Sequence, residues 1–296
     1  MQDDFVAPFS LDSAPVRGRV ARMGAGALDP ILKRHDYPRP VALLLGEALT
    51  MAALLGSLLK ADGRLIVQAQ GEGPAPLLVA EHGAGGHLRG YARLADGAAT
   101  ALSGANRLPP REVLGAGQML ITLDQGEGKE LYQGVAALEG DTLAACAEHY
   151  FRTSEQTETR IKLAIGEVMQ GDRPAYWRGG GALLQRIAAD DARGDVAEDW
   201  NRASILFATL EDQEIVDPDL AADRLLYRLF HEEGVRMADA APLSDRCTCT
   251  EDRLRAVMRS FPADEVRTLV EADGMLRARC QFCAREYVLT LDSVLA

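Results

Sequence analysis

Long apolar runs are missing from this 296-residue chain. A membrane-spanning helix needs about eighteen or more consecutive apolar residues. The longest candidate, Val41 to Leu59, is interrupted by Gly46, Glu47, Gly56 and Ser57, so no membrane partner is expected. A basic surplus is missing too: 32 Lys and Arg stand against 44 Asp and Glu, a formal net charge of −12. Nucleic-acid phosphate calls for the opposite balance, so nucleic acid is not an expected partner. Only four of the basic residues are Lys, a compositional bias from which no function follows. The opening Met1-Gln2-Asp3-Asp4-Phe5 is acidic where a secretory signal is basic and then apolar. The expected compartment is therefore the cytoplasm, where thiols stay mostly reduced.

Catalytic groupings are also absent. The five histidines are scattered, with no Ser/His/Asp or Cys/His arrangement around them, and no carboxylate pair stands out. Gly83 to Gly90 lacks the Lys-Ser/Thr of a phosphate loop. Nothing proposes an enzyme, and no catalytic residue is assigned. His35, beside Asp36, reads as a local turn or cap contact, and His82 and His87, flanking a Gly-rich turn without a third ligand, read as surface histidines. Cys146, between Ala145 and Ala147 on a predicted helix, reads as a small buried hydrophobe.

What is present is ordinary for a folded protein of two or three domains: 47% apolar and 26% charged residues. The charge is unevenly spread. From Asp190 to Asp245 there are fifteen Asp and Glu against five Arg, a local net of −10. Such a stretch repels itself and weakens its own compact state.

Periodicity divides the chain into three: an α+β core over 1–190, an acidic helical linker over 191–242 and a small C-terminal domain over 243–296. In the first, a helix is expected from Pro38 to Lys60, closed by Asp62-Gly63. Strands are expected at Arg64–Gln70, Pro76–Ala80, Leu88–Arg93, Gln118–Leu123, Leu131–Ala136 and Ile161–Val168, and a further helix from Thr142 to Arg152. Strands arriving as hairpins with helices set apart imply α+β with an antiparallel sheet. In the linker, Val196, Trp200, Ala203, Phe207 and Leu210 share one helical face, and Leu220, Leu225, Leu226, Leu229 and Phe230 share another, separated by Asp217-Pro218. Each stripe needs a partner surface. Gly234 to Pro242 reads as a short linker.

Four of the five cysteines fall in the last fifty residues, as Cys247-Thr248-Cys249 and Cys280-Gln281-Phe282-Cys283. Two close pairs of thiolates with thirty residues between them have the spacing of a tetrahedral Zn²⁺ site, one ion per chain. In so small a domain the ion would supply much of the folding free energy. Zinc knuckles generally place two residues between paired cysteines, and the first pair here has one. Two readings stay open: a permanent structural zinc ribbon, or a thiol switch in which oxidation expels the metal. Buried ordinary cysteines and a stable disulfide framework are the lesser alternatives.

Beyond the cysteines, the chain resembles the redox-regulated heat-shock chaperones, the ATP-independent 33-kilodalton holdases of bacteria. The resemblance runs from about Asp29 to Val288. It is carried by the cysteine pattern, by Lys33-Arg34-His35-Asp36-Tyr37-Pro38, Leu44-Leu45-Gly46-Glu47-Ala48 and Asp62-Gly63-Arg64-Leu65. Leu88-Arg89-Gly90-Tyr91-Ala92, Tyr132-Gln133-Gly134 and Ser154-Glu155-Gln156-Thr157 followed by Thr159 complete it. The resemblance implies a reduced, zinc-bound, inactive form. Oxidation under unfolding stress then joins Cys247 to Cys249 and Cys280 to Cys283, zinc leaves, the C-terminal domain and linker unfold, dimers form and unfolding client proteins are held. Two residues depart from that pattern: Ala284 where Asn is frequent, and Thr250 where Ser is common. The alternative is a constitutive zinc-ribbon adaptor. From Cys247 onward that domain has seven Arg and eight Asp and Glu, without the excess that nucleic acid requires.

Overall fold

The structure, a computed structural model of the chain, describes residues 3–59, 63–126, 129–169, 171–172, 174–187 and 196–295. They form two compact units, Met1–Asp245 and Arg246–Ala296. The expected helix end at Lys60 and Asp62 and the expected boundary at 190/191 lie outside the described residues, as does the side chain of Val196.

The first unit opens with β1 (Phe5–Leu11) and β2 (Val16–Met23), then a short α1 (Asp29–Leu32) and a long α2 (Arg39–Gly56). β3 (Arg64–Gly71), β4 (Leu77–Gly83) and β5 (His87–Arg93) follow, with short α3 (Ala98–Ala101) and α4 (Pro110–Leu114) after them. Next come β6 (Gly117–Asp124), β7 (Tyr132–Ala137), α5 (Leu143–Thr153), β8 (Thr159–Val168) and β9 (Tyr176–Arg186). The acidic stretch supplies α6 (Val196–Ala208), α7 (Asp212–Val216) and α8 (Ala222–Phe230). The unit ends in the short strands β10 (Val235–Met237), β11 (Ala241–Pro242) and β12 (Ser244–Asp245).

One six-stranded sheet has the order β10-β1-β2-β9-β8 with β11 also on β1, and the other runs β12-β5-β4-β3-β6-β7. Every pairing is antiparallel except that of β12 with β5. The α+β class with antiparallel sheets is thus the fold. The stretch expected as a linker, Gly234 to Pro242, instead pairs with β1, at Phe9–Leu11 and at Phe5–Val6.

α2 shows why composition alone misleads about membranes. Pro40 near its start presets the helical φ, and every residue from Pro40 to Gly56 is buried. It is long and apolar enough to cross a bilayer, yet 94% of it is buried inside the fold. A helix buried by its own fold on all sides is a core helix. Leu45, Leu49, Met51 and Leu54 pack with Leu65, Val67, Leu78 and Ala80 of one sheet and Ile161, Leu163 and Leu183 of the other. Its acid, Glu47, meets Arg107 at 3.0 Å, and burial still raises its pKa to about 7.

His82 corrects the sequence expectation. It lies on β4, paired with Leu65, and is only 8% exposed. Its ring rests on Gly56 of α2, where a Cβ would come within 2.4 Å of Nδ1. Period-2 alternation puts it on the same inward face as Leu78 and Ala80. Burial lowers its pKa to about 4. His87 is half-buried, and His35 sits in a short helical turn closed by Asp36 at φ 48°. Two of the family-like motifs meet at one point: the hydroxyls of Tyr132 and Tyr150 both donate to Glu155.

The other face of the first sheet carries a second core. Phe5, Phe9, Val20 and Leu184 are covered there by Trp200, Ala203, Phe207 and Leu210 of the first expected stripe and Leu225, Leu226, Leu229 and Phe230 of the second. Phe9 stacks on Phe230 with ring centroids 6.0 Å apart. The acidic helices are therefore the outer layer of this sheet.

The second unit contains α9 (Glu251–Arg259), α10 (Ala263–Thr268), the hairpin β13 (Met275–Arg279) with β14 (Glu286–Thr290), and α11 (Leu291–Leu295). Its core is Met258, Val266, Leu276, Leu289 and Val294.

Candidate metal centre

Two backbone devices bring the cysteines together. Cys247 and Cys249 precede α9, whose N-cap is Thr250: its hydroxyl accepts from Arg253 N at 3.2 Å. Thr performs the capping role that Ser would, so that departure is structurally neutral. Cys280 and Cys283 occupy the turn between β13 and β14. Cys280 N donates to Arg285 O at 2.9 Å, and Ala284 N donates to Cys280 O at 2.8 Å. The turn needs a left-handed residue, and Ala284 takes it at φ 57°. Asn and Gly adopt that conformation more readily than Ala, which gives the other departure a physical meaning.

The four sulfurs all lie within 4.8 Å of one another. Cys249 Sγ is 3.3 Å from Cys283 Sγ, and Cys247 Sγ is 3.8 Å from Cys280 Sγ. Tetrahedral Zn–S bonds of about 2.3 Å set sulfur–sulfur edges of about 3.8 Å. The donor set, four soft sulfurs at nearly that spacing, fits a thiophilic ion, and Cys247, Cys249, Cys280 and Cys283 are the residues that could hold it. All four sequence-expected ligand residues are thus gathered at one place.

Burial alone would raise the Cys249 thiol, but hydrogen bonds from Tyr287 and from Cys283, Cys247 and Cys280 outweigh it and bring the pKa to about 7. Tyr287 Oη lies 3.1 Å from Cys249 Sγ and donates to it. Burial pushes Cys283 up to about 12, with the neighbouring sulfurs acting in the same direction. Protons are shared unevenly in the cluster, and a bound cation would displace those that remain. Tyr287 carries no signal in the sequence, since its spacing from the cysteines means nothing until the β13–β14 register is known. Cys146 stands apart, 2% exposed in α5, with burial raising its thiol pKa.

Fold and site together define a two-unit α+β protein with a C-terminal four-thiol centre. Residues 4–290 match the family described as Hsp33 protein. The 33 kDa chaperonin of Caulobacter vibrioides is 50% identical over 288 residues, covering 97% of this chain and 95% of that protein. The 33 kDa chaperonin of Escherichia coli (strain K12 / DH10B) is 35% identical over 291 residues, covering 97% and 92% respectively. A solved structure of the 33 kDa chaperonin from Thermotoga maritima superposes with a TM-score of 0.78 at 20% identity, covering 99% of this chain and 98% of that one, a likeness of fold. The chain belongs to the Hsp33 family of chaperones.

Proposed function

We propose that the chain is a redox-regulated, ATP-independent holdase of the cytoplasm. In its resting form Cys247, Cys249, Cys280 and Cys283 hold one Zn²⁺, and four oxidised thiols mark the active form. The observation that carries this reading is the gathering of four sulfurs within 4.8 Å in a unit with five buried apolar side chains among its described residues. Zinc, once bound, keeps the sulfurs as thiolates, the state that attacks an oxidant. Each pair gives two electrons to a peroxide, whose O–O bond breaks as the S–S bond forms.

Connectivity decides what oxidation does. Joining Cys247 to Cys280 or Cys249 to Cys283 would staple a loop of about thirty residues and stabilise the unit by roughly 3–4 kcal/mol. Joining Cys247 to Cys249 and Cys280 to Cys283 closes only small rings and leaves the two knuckles unconnected. The proposal takes the second pairing, which removes the tie without replacing it. The C-terminal unit then unfolds, and the acidic layer α6–α8, which repels itself, is released from the first sheet. Phe5, Phe9, Val20 and Leu184 become available to unfolding client proteins and to a second copy of the chain. Nothing in this cycle uses a catalytic residue.

The test is zinc release and free-thiol count on the reduced protein, before and after peroxide at a mildly elevated temperature. About one zinc released per chain as four thiols disappear is the expected result, with disulfide mapping giving the in-pair connections and the oxidised protein suppressing aggregation of an unfolding client. Zinc retained with thiols protected would mean a permanent ribbon and an adaptor role instead.

A further inference from the structure

Two arginines lie on the sheet face that the acidic layer covers. Arg22 of β2 and Arg178 of β9 are each 1% exposed and sit on neighbouring strands, Arg22 directly opposite Gly180. Gly180 brings the strands close: a Cβ there would stand 2.3 Å from Ala21 O. Buried guanidiniums demand acceptors, because desolvating an unpaired charge is strongly unfavourable. Arg178 has a carboxylate: its Nε and Nη2 donate to Asp3 at 3.0 and 2.5 Å. Among the described residues, Arg22 donates only to main-chain carbonyls. Its Nη2 reaches Glu214 O at 3.0 Å, and its Nη1 reaches Asp217 O at 3.3 Å and also Ile215 O. Arg178 Nη1 shares Ile215 O at 3.2 Å. The Nε of Arg22 is buried without an acceptor among the described residues.

The carboxylates of the same segment are engaged elsewhere. Glu214 accepts from Glu211 N at 3.0 Å and from Arg228 at 2.5 Å, and Asp217 Oδ1 accepts from Asp219 N at 2.8 Å. The hydrogen bonds of Arg22 to this segment therefore go to its backbone, through carbonyls that the end of α7 leaves without intrahelical partners, while the Asp217 and Glu214 carboxylates act on it only through their charge. Burial first, and then Arg178, lowers the Arg22 pKa to about 10.

We propose that Arg22 and Arg178 form a carbonyl-binding subsite for unfolded polypeptide, occupied in the resting protein by the carbonyls of Glu214, Ile215 and Asp217. The proposal rests on the holdase reading and supplies its recognition chemistry. In folded proteins nearly all buried carbonyls are already paired, whereas an unfolded chain offers free ones at every residue. A guanidinium fork on an apolar sheet face thus selects unfolded over folded chains without reading sequence, while Phe5, Phe9 and Val20 alongside accept apolar side chains.

The experiment uses the oxidised full-length chain and two probes, a chemically unfolded client and a labelled peptide of residues 209–221. Arg22→Met, which keeps length and removes donors, is expected to weaken both about tenfold, and Arg22→Lys, which keeps charge without the fork, by a smaller factor. Circular dichroism of each variant checks that the fold is intact. A peptide with ester linkages in place of the amides that supply the carbonyls of 214 and 215 is expected to bind wild type several-fold more weakly. Against Arg22→Met it should bind no worse than the amide peptide. A merely structural arginine would not give that coupling. Equal client binding by wild type and Arg22→Met, or an ester effect that persists in Arg22→Met, overturns the subsite while the holdase reading stands. Oxidised wild type that binds no client overturns the holdase reading and the subsite with it.

Discussion

The two units hold themselves together by different means. The first has two apolar cores, one on either side of a six-stranded sheet, with α2 buried along nearly its whole length. The second has five buried apolar side chains and four sulfurs. Burial is a distributed interaction, so the first unit can lose a contact and remain folded. A metal centre of the proposed kind is concentrated in one place, so chemistry on four atoms would switch the second unit. A unit of this size rarely builds a sufficient core without such a staple.

The largest effect expected from this contrast is chelation. Structural zinc sites contribute on the order of 10 kcal/mol to folding, so a strong chelator should unfold Arg246–Ala296 and leave α2 and the sheet of β3 to β7 folded. Amide hydrogen exchange would show it; protection surviving in β13 and β14 after chelation would erase the contrast. Cys280→Ser should act in the same direction, lowering zinc affinity by orders of magnitude, which a competition titration reads. Within the first unit, Phe230→Ala removes a ring that stacks on Phe9 beneath the acidic layer. A loss of about 3–5 kcal/mol is expected, with faster exchange in α8 and no change in the second unit's own stability.

A pH series sharpens the contrast further. His82 has its folded pKa depressed from 6.5 to about 4 by burial. Its contribution is fully present above pH 6.5 and is lost as pH falls toward 4, because the unfolded chain takes the proton first. Up to about 3 kcal/mol should disappear over that window, and His82→Leu should flatten this acid limb in a urea titration. The smallest expected change is a gain: Ala284→Gly relieves the left-handed φ of 57° and should stabilise the metal-loaded second unit by about 1 kcal/mol.

How much of this was legible beforehand follows from the range of the interactions. α2, the hairpin strands from β3 to β7 and the stripes of α6 and α8 show in local periodicity because each buries one recurring face. β1, β2 and β9 did not. β9 runs through Gly179-Gly180-Gly181, which weakens a strand signal, and β2 alternates Arg with small and apolar residues. Both are strands because of what they pair with: β2 lies between β1 and β9. His82 was misplaced because the Gly-rich turn beside it is visible in sequence while the helix it faces is not. The four cysteines were legible because a metal site imposes short spacings. Arg22, Arg178 and their three carbonyls are far apart in the chain and carry no local pattern at all.

The acidic layer has one further property. β9 precedes it and β10 follows it, and both belong to the sheet it covers. On release of the layer, the 48 residues between Arg186 and Val235 would be a tether fixed at both ends. A flexible segment of that length spans only about 40 Å, which keeps it near its own binding face at an effective concentration on the order of millimolar. On the proposed reading, every client competes with a rival that cannot diffuse away. A single weak contact loses that competition, so retention requires several contacts made together. When the thiols are reduced and the layer regains its stability, the rival reclaims the face by mass action alone, and the client leaves without any nucleotide being spent.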